Sequence, residues 1–146
     1  MHIYLRSFLF YLYLVPVTAS AAVFCVLITP FSNVQQRYGL VRYWSGLNLL
    51  MLNLICNIQY RVLGKEHIAG CGSKPMILLS KHQSAWETIV YPYIFPKTLC
   101  FVSKRELLWL PFFGWALASL KMITINRGDR EAARAAVAIQ GKARLE

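Results

Sequence analysis

Two side chains capable of acid–base chemistry lie five residues apart in the segment Lys81-His-Gln-Ser-Ala-Trp-Glu-Thr88. On one continuous helix, residues five apart point about 140° away from each other, so His82 and Glu87 would not meet. If His82 precedes a helix and Glu87 lies in its first turn, the chain can fold the imidazole back onto the carboxylate. A carboxylate on one ring nitrogen fixes the tautomer and leaves the other nitrogen free as a general base.

The same segment also supports a purely structural interpretation. Ser84 and Glu87 have the Ser-x-x-Glu spacing of a capping box, with Ser84 at the N-cap and Glu87 at the third helical position. The box would account for Glu87 without catalysis, although the two roles are compatible. The helix N-terminus would also favour an anion beside the histidine.

The pattern of apolar and polar residues after residue 58 predicts the helices and strands that must position these residues. Apolar and alternating runs predict four strands, at residues 59–64, 76–80, 98–103 and 122–126. Helices are predicted at residues 84–95, 104–120 and from 129 onward, with breaks at prolines 92, 96 and 111. Alternation of strands and helices is typical of an α/β domain with a mostly parallel sheet.

An uncharged segment of 25 residues, from Ser7 to Phe31, precedes this domain. A bilayer-spanning helix needs about 20 residues, and Pro16 would bend such a helix. The alternative is a signal peptide cleaved near Ala19-Ser20-Ala21. The apolar run continues ten residues past Ala21, which favours a membrane-associated helix.

A second uncharged stretch, residues 43–60, has an apolar stripe at helical spacing, made of Trp44, Leu47, Met51, Leu54, Ile55 and Ile58. Its three asparagines make it a poor spanning helix. It is either an interfacial helix or a core helix of the domain. We therefore divide the chain into membrane-associated helices at residues 1–58 and an α/β domain at residues 59–146.

Composition narrows the classes of protein. The chain is 57% hydrophobic, against about 45–50% for an ordinary soluble domain, and this excludes intrinsic disorder. The net charge of +10 predicts an anionic partner, and with 14% aromatic residues it favours a membrane surface. The basic residues are scattered and no nucleic-acid motif is present, so we expect no nucleic-acid partner.

The cysteines and the remaining histidines point to no metal site. Cys25, Cys56, Cys71 and Cys100 include no Cys-x-x-Cys pair, and His67 with Cys71 lacks a second ligand pair for zinc. We expect free thiols in a reducing compartment and a solvated His67.

The charges also indicate an orientation. Residues 1–60 hold Arg6, Arg37 and Arg42 and no acid, and the other 13 basic residues follow. By the positive-inside tendency the domain faces the cytoplasm. A hairpin within one leaflet, with both ends cytoplasmic, fits these charges best.

Three ordered stretches resemble the glycerolipid acyltransferases, in particular the bacterial 1-acyl-sn-glycerol-3-phosphate acyltransferase family. Residues 81–87 resemble the His-x-x-x-x-Asp block, with Glu87 where Asp is commoner. Residues 104–114 resemble the Lys-x-Glu-Leu…Pro…Gly segment, and residues 123–127 resemble the Phe-Ile-x-Arg block, with Thr124 in place of Phe.

The resemblance implies a function. His82 would deprotonate the free hydroxyl of a lysophosphatidic acid, which attacks the thioester of acyl-CoA or acyl-carrier protein to give phosphatidic acid. Glu87 would orient His82, and Arg127, Ser84 and Lys104 would contact the substrate. No metal or other cofactor is implied. Membrane lipids are the expected partners, and the bacterial inner membrane, with the catalytic domain on its cytoplasmic face, is the expected location. The alternative for Arg127 is a solvated loop charge.

A dense apolar cluster between residues 107 and 115 has two interpretations. It is either core or a surface that touches the bilayer or an acyl chain, and Lys104, Arg105 and Lys121 flank it.

The family's Glu-Gly-Thr-Arg block does not occur in this sequence. We therefore expect a partial sheet, in a fragment or a truncated product. The alternative to the enzyme is a non-catalytic, membrane-anchored lipid-binding or interaction protein.

Overall fold

The computed structural model describes residues 2–69 and 75–145. The helices are α1 (His2–Leu27), α2 (Val34–Cys56), α3 (Lys65–Ala69), α4 (Trp86–Ile94), α5 (Phe113–Ser119) and α6 (Arg130–Leu145). The strands are β1 (Val102–Lys104) and β2 (Ile123–Ile125), and short 3₁₀ turns cover Thr29–Phe31 and Arg105–Trp109. The chain is thus mostly helical with a small parallel sheet, which confirms a partial α/β fold.

The first two helices form a hairpin. The second begins with a capping box in which the Asn33 and Gln36 side chains each accept the other's backbone N–H at 2.9 Å. It ends at Asn57, whose left-handed conformation (φ 55°) closes the helix. Because of this cap, α2 starts nine residues before the predicted uncharged stretch.

Among the described residues, α1 alone is long and apolar enough to cross a membrane. It starts earlier than the uncharged run and continues through Pro16. The second helix packs between α1 and α4, and its buried face is Ser45, Asn48, Leu49 and Leu52. The face of α2 that packs inside the molecule is therefore not the predicted apolar stripe, of which Leu54 and Ile58 are exposed.

Two apolar clusters join the hairpin to the rest of the chain. In the first, Ala22 and Cys25 of α1 pack against Ala116, Leu120 and Met122. In the second, Leu49 of α2 packs against Ile89 and Val90 of α4. Each hairpin helix therefore anchors a different part of the domain, and α2 carries the helix that contains Glu87.

A buried arginine links the hairpin turn to α5. Arg37 is 5% exposed, and its guanidinium donates to the carbonyl oxygens of Thr29 (3.2 Å), Ser32 and Ser119 (2.9 Å). Thr29 and Ser32 lie in the turn after α1, and Ser119 is the last residue of α5, where helical C=O groups lack intrahelical donors. Arg37 therefore joins the turn of the hairpin to the end of α5, 82 residues further along the chain.

The small sheet is a parallel pair with Val102 opposite Ile123 and Lys104 opposite Ile125. The sixth helix covers β2, because Gln140 exchanges 3.4 Å hydrogen bonds with the backbone of Thr124. The strand predicted at 122–126 is present but shorter. The strand predicted at 98–103 begins four residues late and ends one residue beyond the prediction, at Lys104. The helix predicted at 104–120 consists of the 3₁₀ turn and α5, separated near Pro111.

Two predicted strands are wrong. Residues 59–64 and 76–80 have no strand structure, and the side chains of Ile77 and Leu79 are exposed. A strand needs a hydrogen-bonding neighbour, and neither segment has one within the described residues. The predicted break at Pro92 is also wrong. The carbonyl that Pro92 leaves without a donor belongs to Thr88, which is exposed to water.

Candidate active site

His82 and Glu87 meet at the start of α4. The segment before the helix has no regular secondary structure, and Nδ1 of His82 lies 3.5 Å from Oε2 of Glu87 in the first turn. The His82 side chain is 63% exposed, whereas that of Glu87 is 14% exposed. The imidazole is therefore held on its Nδ1 side while the ring remains open to an incoming molecule.

The Glu87 carboxylate has more than one hydrogen-bond donor. Its Oε1 accepts the backbone N–H of Gln83 at 2.8 Å, and its Oε2 accepts that of Ser84 at 3.2 Å. The Ser84 hydroxyl donates to Oε2 at 3.3 Å and accepts the N–H of Trp86 at 3.1 Å. The capping interactions and the His82 contact therefore coexist.

The position of the cap differs from the prediction by one residue. Because α4 begins at Trp86, the residue directly before it is Ala85, which already has helical backbone angles. Ser84 therefore lies one residue further from the helix than expected, which is within the usual variation of helix boundaries. Its hydroxyl still serves the first turn by accepting from Trp86.

These donors set the charge of the site. The backbone N–H of Gln83 is the largest cause of a pKa of about 2 for Glu87, against an ordinary value of 4.5. The N–H groups of Glu87 itself and Ser84 and the nearby His82 act in the same direction, and desolvation opposes them. Glu87 is therefore a carboxylate at neutral pH, as a partner for an Nδ1–H donor must be.

A hydroxyl pair that the sequence did not reveal steadies the segment before His82. The Ser80 and Tyr91 hydroxyls are hydrogen-bonded, and the Tyr91 ring packs edge-on against Phe95 with centroids 5.5 Å apart. Tyr91 is one helical turn after Glu87, and Ser80 is two residues before His82. In the sequence, only this spacing could have indicated that the two hydroxyls meet.

Lys104 and Arg127 follow the two parallel strands. Lys104 ends β1 opposite Ile125, and Arg127 lies two residues beyond Ile125, so both are at the carboxyl edge of the sheet. Both are exposed, and within the described ranges neither side chain has a hydrogen bond or ion pair. No hydrogen bond or ion pair between described residues joins either side chain to His82.

In residues 2–69 and 75–145, no three His, Cys, Asp or Glu side chains cluster in a way that could hold a metal ion. Cys25, Cys56 and Cys100 are free thiols. Cys71, considered above with His67 as a metal ligand, lies outside the described residues.

The geometry thus comprises a His–Glu pair at the start of α4 and two basic residues at the carboxyl edge of the parallel strands. A family model described as Acyltransferase matches residues 59–145. The chain belongs to this acyltransferase family, which confirms the resemblance drawn from the three motifs.

Particular relatives define the similarity more closely. The chain is 42% identical to a 1-acyl-sn-glycerol-3-phosphate acyltransferase of Pseudomonas aeruginosa, over 94% of this chain and 52% of the relative. Proteins of the same name from Saccharomyces cerevisiae and Helicobacter pylori are 29% and 32% identical. Those matches cover 57% and 52% of this chain, and 26% and 32% of the relatives. The chain thus spans about half the length of the Pseudomonas protein. No solved structure matches it.

Proposed function

We propose that the protein transfers an acyl group from acyl-CoA or acyl-carrier protein to the free hydroxyl of a lysophosphatidic acid, giving phosphatidic acid. The observation that carries the proposal is the 3.5 Å contact between Nδ1 of His82 and the ionised Glu87, with the imidazole exposed. The shared name of the three relatives supports the substrate class.

In the proposed reaction, Nε2 of His82 takes the proton of the acceptor hydroxyl as its oxygen attacks the thioester carbonyl. Glu87 holds Nδ1–H, which keeps Nε2 unprotonated beforehand and stabilises the imidazolium formed afterwards. Collapse of the tetrahedral intermediate breaks the C–S bond, and the imidazolium returns its proton to the leaving thiolate. The step uses no metal ion and no organic cofactor.

The acceptor phosphate is proposed to bind Arg127 and Lys104. Both cations are exposed at one edge of the sheet and carry no competing ion pair among the described residues. A guanidinium forms bidentate, charge-assisted hydrogen bonds with phosphate, and an ammonium adds a point charge. Ser84 is proposed to contact substrate as an acceptor, because its proton is directed at Glu87.

The proposed location is the cytoplasmic face of a bacterial inner membrane. The apolar α1 supports membrane association, and the absence of acidic residues before Glu66 supports the orientation. We assign residues 1–58 to membrane association and residues 59–146 to acyl transfer.

The test is an acyl-transfer assay with the full-length protein, a lysophosphatidic acid and each acyl donor. Loss of a general base costs about 10²–10⁴-fold, so His82→Ala should lower kcat by that factor. Its melting temperature should stay close to that of the unaltered protein, because the side chain is largely exposed. His67→Ala, at another exposed histidine of the same domain, is the matched control and should keep full turnover.

Full turnover in His82→Ala would overturn the assignment of the base. If the unaltered protein binds lysophosphatidic acid but forms no phosphatidic acid with either donor, the non-catalytic lipid-binding alternative is correct.

A further inference from the structure

Five large apolar side chains around α5 lie on the surface rather than in the core. This aromatic patch consists of Trp109, Leu110, Phe112, Phe113 and Trp115, whose exposed fractions range from 39% to 84%. The structure therefore decides against the core interpretation of these residues. A contiguous exposed apolar surface of this kind marks an interaction site.

The backbone holds the patch in a fixed shape. Phe112 has positive φ (63°, ψ −58°), which is rare for a bulky residue, and its ring lies edge-on to Trp115 at 5.4 Å. A Cβ at Gly114 would lie 2.3 Å from the carbonyl oxygen of Leu108, so only glycine allows this close turn. The aromatic side chains are thus displayed by a tightly packed turn.

The patch continues onto α1. A groove of about 430 Å³ is lined by Phe112 and, from α1, by Ala19, Ser20, Val23, Phe24 and Leu27. Phe24 and Leu27 are themselves exposed, although α1 packs on α5 through Cys25 and its neighbours. The groove therefore joins the exposed apolar residues of the candidate membrane helix to Phe112.

The charged residues near the patch indicate what kind of surface it binds. Lys104 and Arg105 lie five and four residues before Trp109, with Glu106 as the acid of the same turn, and Lys121 follows α5. The chain carries +10 overall. Aromatic side chains concentrate at the headgroup level of a bilayer, and nearby Lys and Arg residues are attracted to anionic lipids.

We propose that the aromatic patch inserts into the headgroup region of an anionic bilayer, beside α1. The inference rests on the membrane association in the proposed function and adds to it a second point of contact on the acyl-transfer part. Because the 3₁₀ turn that carries Trp109 begins directly after Lys104, insertion brings the carboxyl edge of the sheet to the membrane surface, where a lipid phosphate would be.

The experiment uses full-length protein in vesicles of phosphatidylglycerol and phosphatidylcholine, with bromine on the upper acyl carbons as a fluorescence quencher. Each of three variants has a single tryptophan. The first keeps only Trp109, the second keeps only Trp86 on α4, and the third has Phe8→Trp on α1 as its only tryptophan. We expect quenching of the Trp109 and α1 reporters but not of Trp86. If the α1 reporter is quenched and Trp109 is not, the patch proposal is overturned while membrane association stands.

Two charge variants separate docking from catalysis. Burial of one large apolar side chain is worth about one to two orders of magnitude in partition, so Trp109→Glu should weaken vesicle binding at least about tenfold. Transfer to a short-chain acceptor dissolved as monomers should fall far less than transfer to vesicle-bound acceptor. Ile139→Glu, at an exposed apolar residue of α6, is the matched control and should leave vesicle binding intact.

Other occupants of the patch give different results. Concentration-dependent dimers that Trp109→Glu abolishes would assign the patch to a second copy. Protection of Trp109 from acrylamide without vesicles would assign it to another part of the protein. Either result overturns the proposal. If the unaltered protein transfers no acyl group even to the soluble acceptor, the proposed function is refuted instead.

Discussion

At the scale of single residues, Glu87 combines a structural role with a proposed catalytic one. Its Oε1 accepts a hydrogen bond from the backbone N–H of Gln83. Its Oε2 accepts one from the backbone N–H of Ser84 and lies 3.5 Å from Nδ1 of His82. A glutamine in this position could keep one acceptor oxygen but would turn an N–H₂ group toward the other set of donors. The two roles of Glu87 are therefore coupled through the same carboxylate.

Comparison of Glu87→Gln with Ser84→Ala separates the two roles. Ser84→Ala removes a capping hydroxyl that is also proposed to contact the substrate. It should cost about 1 kcal/mol of stability and raise KM, with kcat largely retained because the Glu87–His82 contact remains. Glu87→Gln should lower kcat at least about tenfold, because the imidazolium loses its anion. Turnover and unfolding free energy of both variants check this. If Glu87→Gln keeps as much turnover as the unaltered protein, Glu87 is a helix cap only.

The pH dependence of stability at Glu87 has a defined sign. Its pKa is about 2 in the folded protein and 4.5 in an ordinary environment, so the folded state favours the carboxylate. Its stabilising contribution is complete above pH 4.5 and is lost as the pH falls toward 2. The stability difference between the unaltered protein and Glu87→Gln should shrink over that interval. A difference that stays constant down to pH 2 would contradict the lowered pKa.

Arg127 tests the proposed phosphate contact. A charge-assisted hydrogen bond is worth about 1.5–3 kcal/mol, so Arg127→Ala should raise KM for the phosphorylated acceptor by about ten- to a hundredfold. The KM for the acyl donor should change little. Steady-state kinetics with each substrate varied in turn measures the two constants, and Arg130→Ala on the exposed start of α6 is the control. Equal effects on both substrates would argue for a structural role.

At the scale of elements, α4 positions His82 although His82 lies outside it. Residues 75–83 form no strand, so the helix must hold this segment through side chains. Glu87 contacts its end, and Tyr91, one turn later, reaches Ser80. The helix is itself fixed on α2 by Leu49. Precision at the imidazole therefore depends on contacts along one face of α4.

Tyr91→Phe removes the hydroxyl contact and keeps the ring against Phe95. We expect Tyr91 to act as a positioning residue, so kcat should fall about tenfold while KM and the melting temperature change little. Tyr93→Phe, at a more exposed tyrosine of the same helix, is the matched control. A parallel loss of stability and activity in Tyr91→Phe would show that the hydroxyl supports the fold rather than His82.

At the scale of the whole molecule, Arg37 joins parts of the chain that local sequence cannot join. The guanidinium is buried without an acidic partner among the described residues. Its two terminal nitrogens donate to carbonyl oxygens, whereas Nε has no hydrogen-bond partner there. It connects the turn of the hairpin, which includes Ser32, to the end of α5 at Ser119. The hairpin and the acyltransferase domain are therefore coupled at this point.

Replacement of Arg37 should destabilise the molecule as a whole. Arg37→Met keeps the apolar stem but leaves the carbonyls of Thr29, Ser32 and Ser119 without a donor, so we expect a loss of at least about 2 kcal/mol. Thermal unfolding in detergent measures the change. Arg61→Met, at an exposed arginine, is the control and should stay within about 0.5 kcal/mol. If the free energy of unfolding of Arg37→Met equals that of the unaltered protein, the three carbonyls find other donors.

The sequence by itself determined the local features of this protein. The His82–Glu87 spacing and Ser84 placed the pair at the start of a helix, and the uncharged run at the N-terminus indicated α1. The two apolar segments that became β1 and β2 were also recognised. The helix features depend on contacts within a few residues, where the backbone period alone decides which side chains meet. For β1 and β2 the sequence indicated only the apolar segments, since their pairing joins residues that are 21 apart.

Only the tertiary structure decided the features that depend on distant partners. The face of α2 that is buried includes Ser45 and Asn48, because α1 and α4 pack there. The segments 59–64 and 76–80 resemble strands but form none, since strand structure requires a paired neighbour. Exposure of Trp109 likewise depends on what covers it. Hydrophobic pattern specifies that a residue favours burial, and the packing of remote elements decides whether burial occurs.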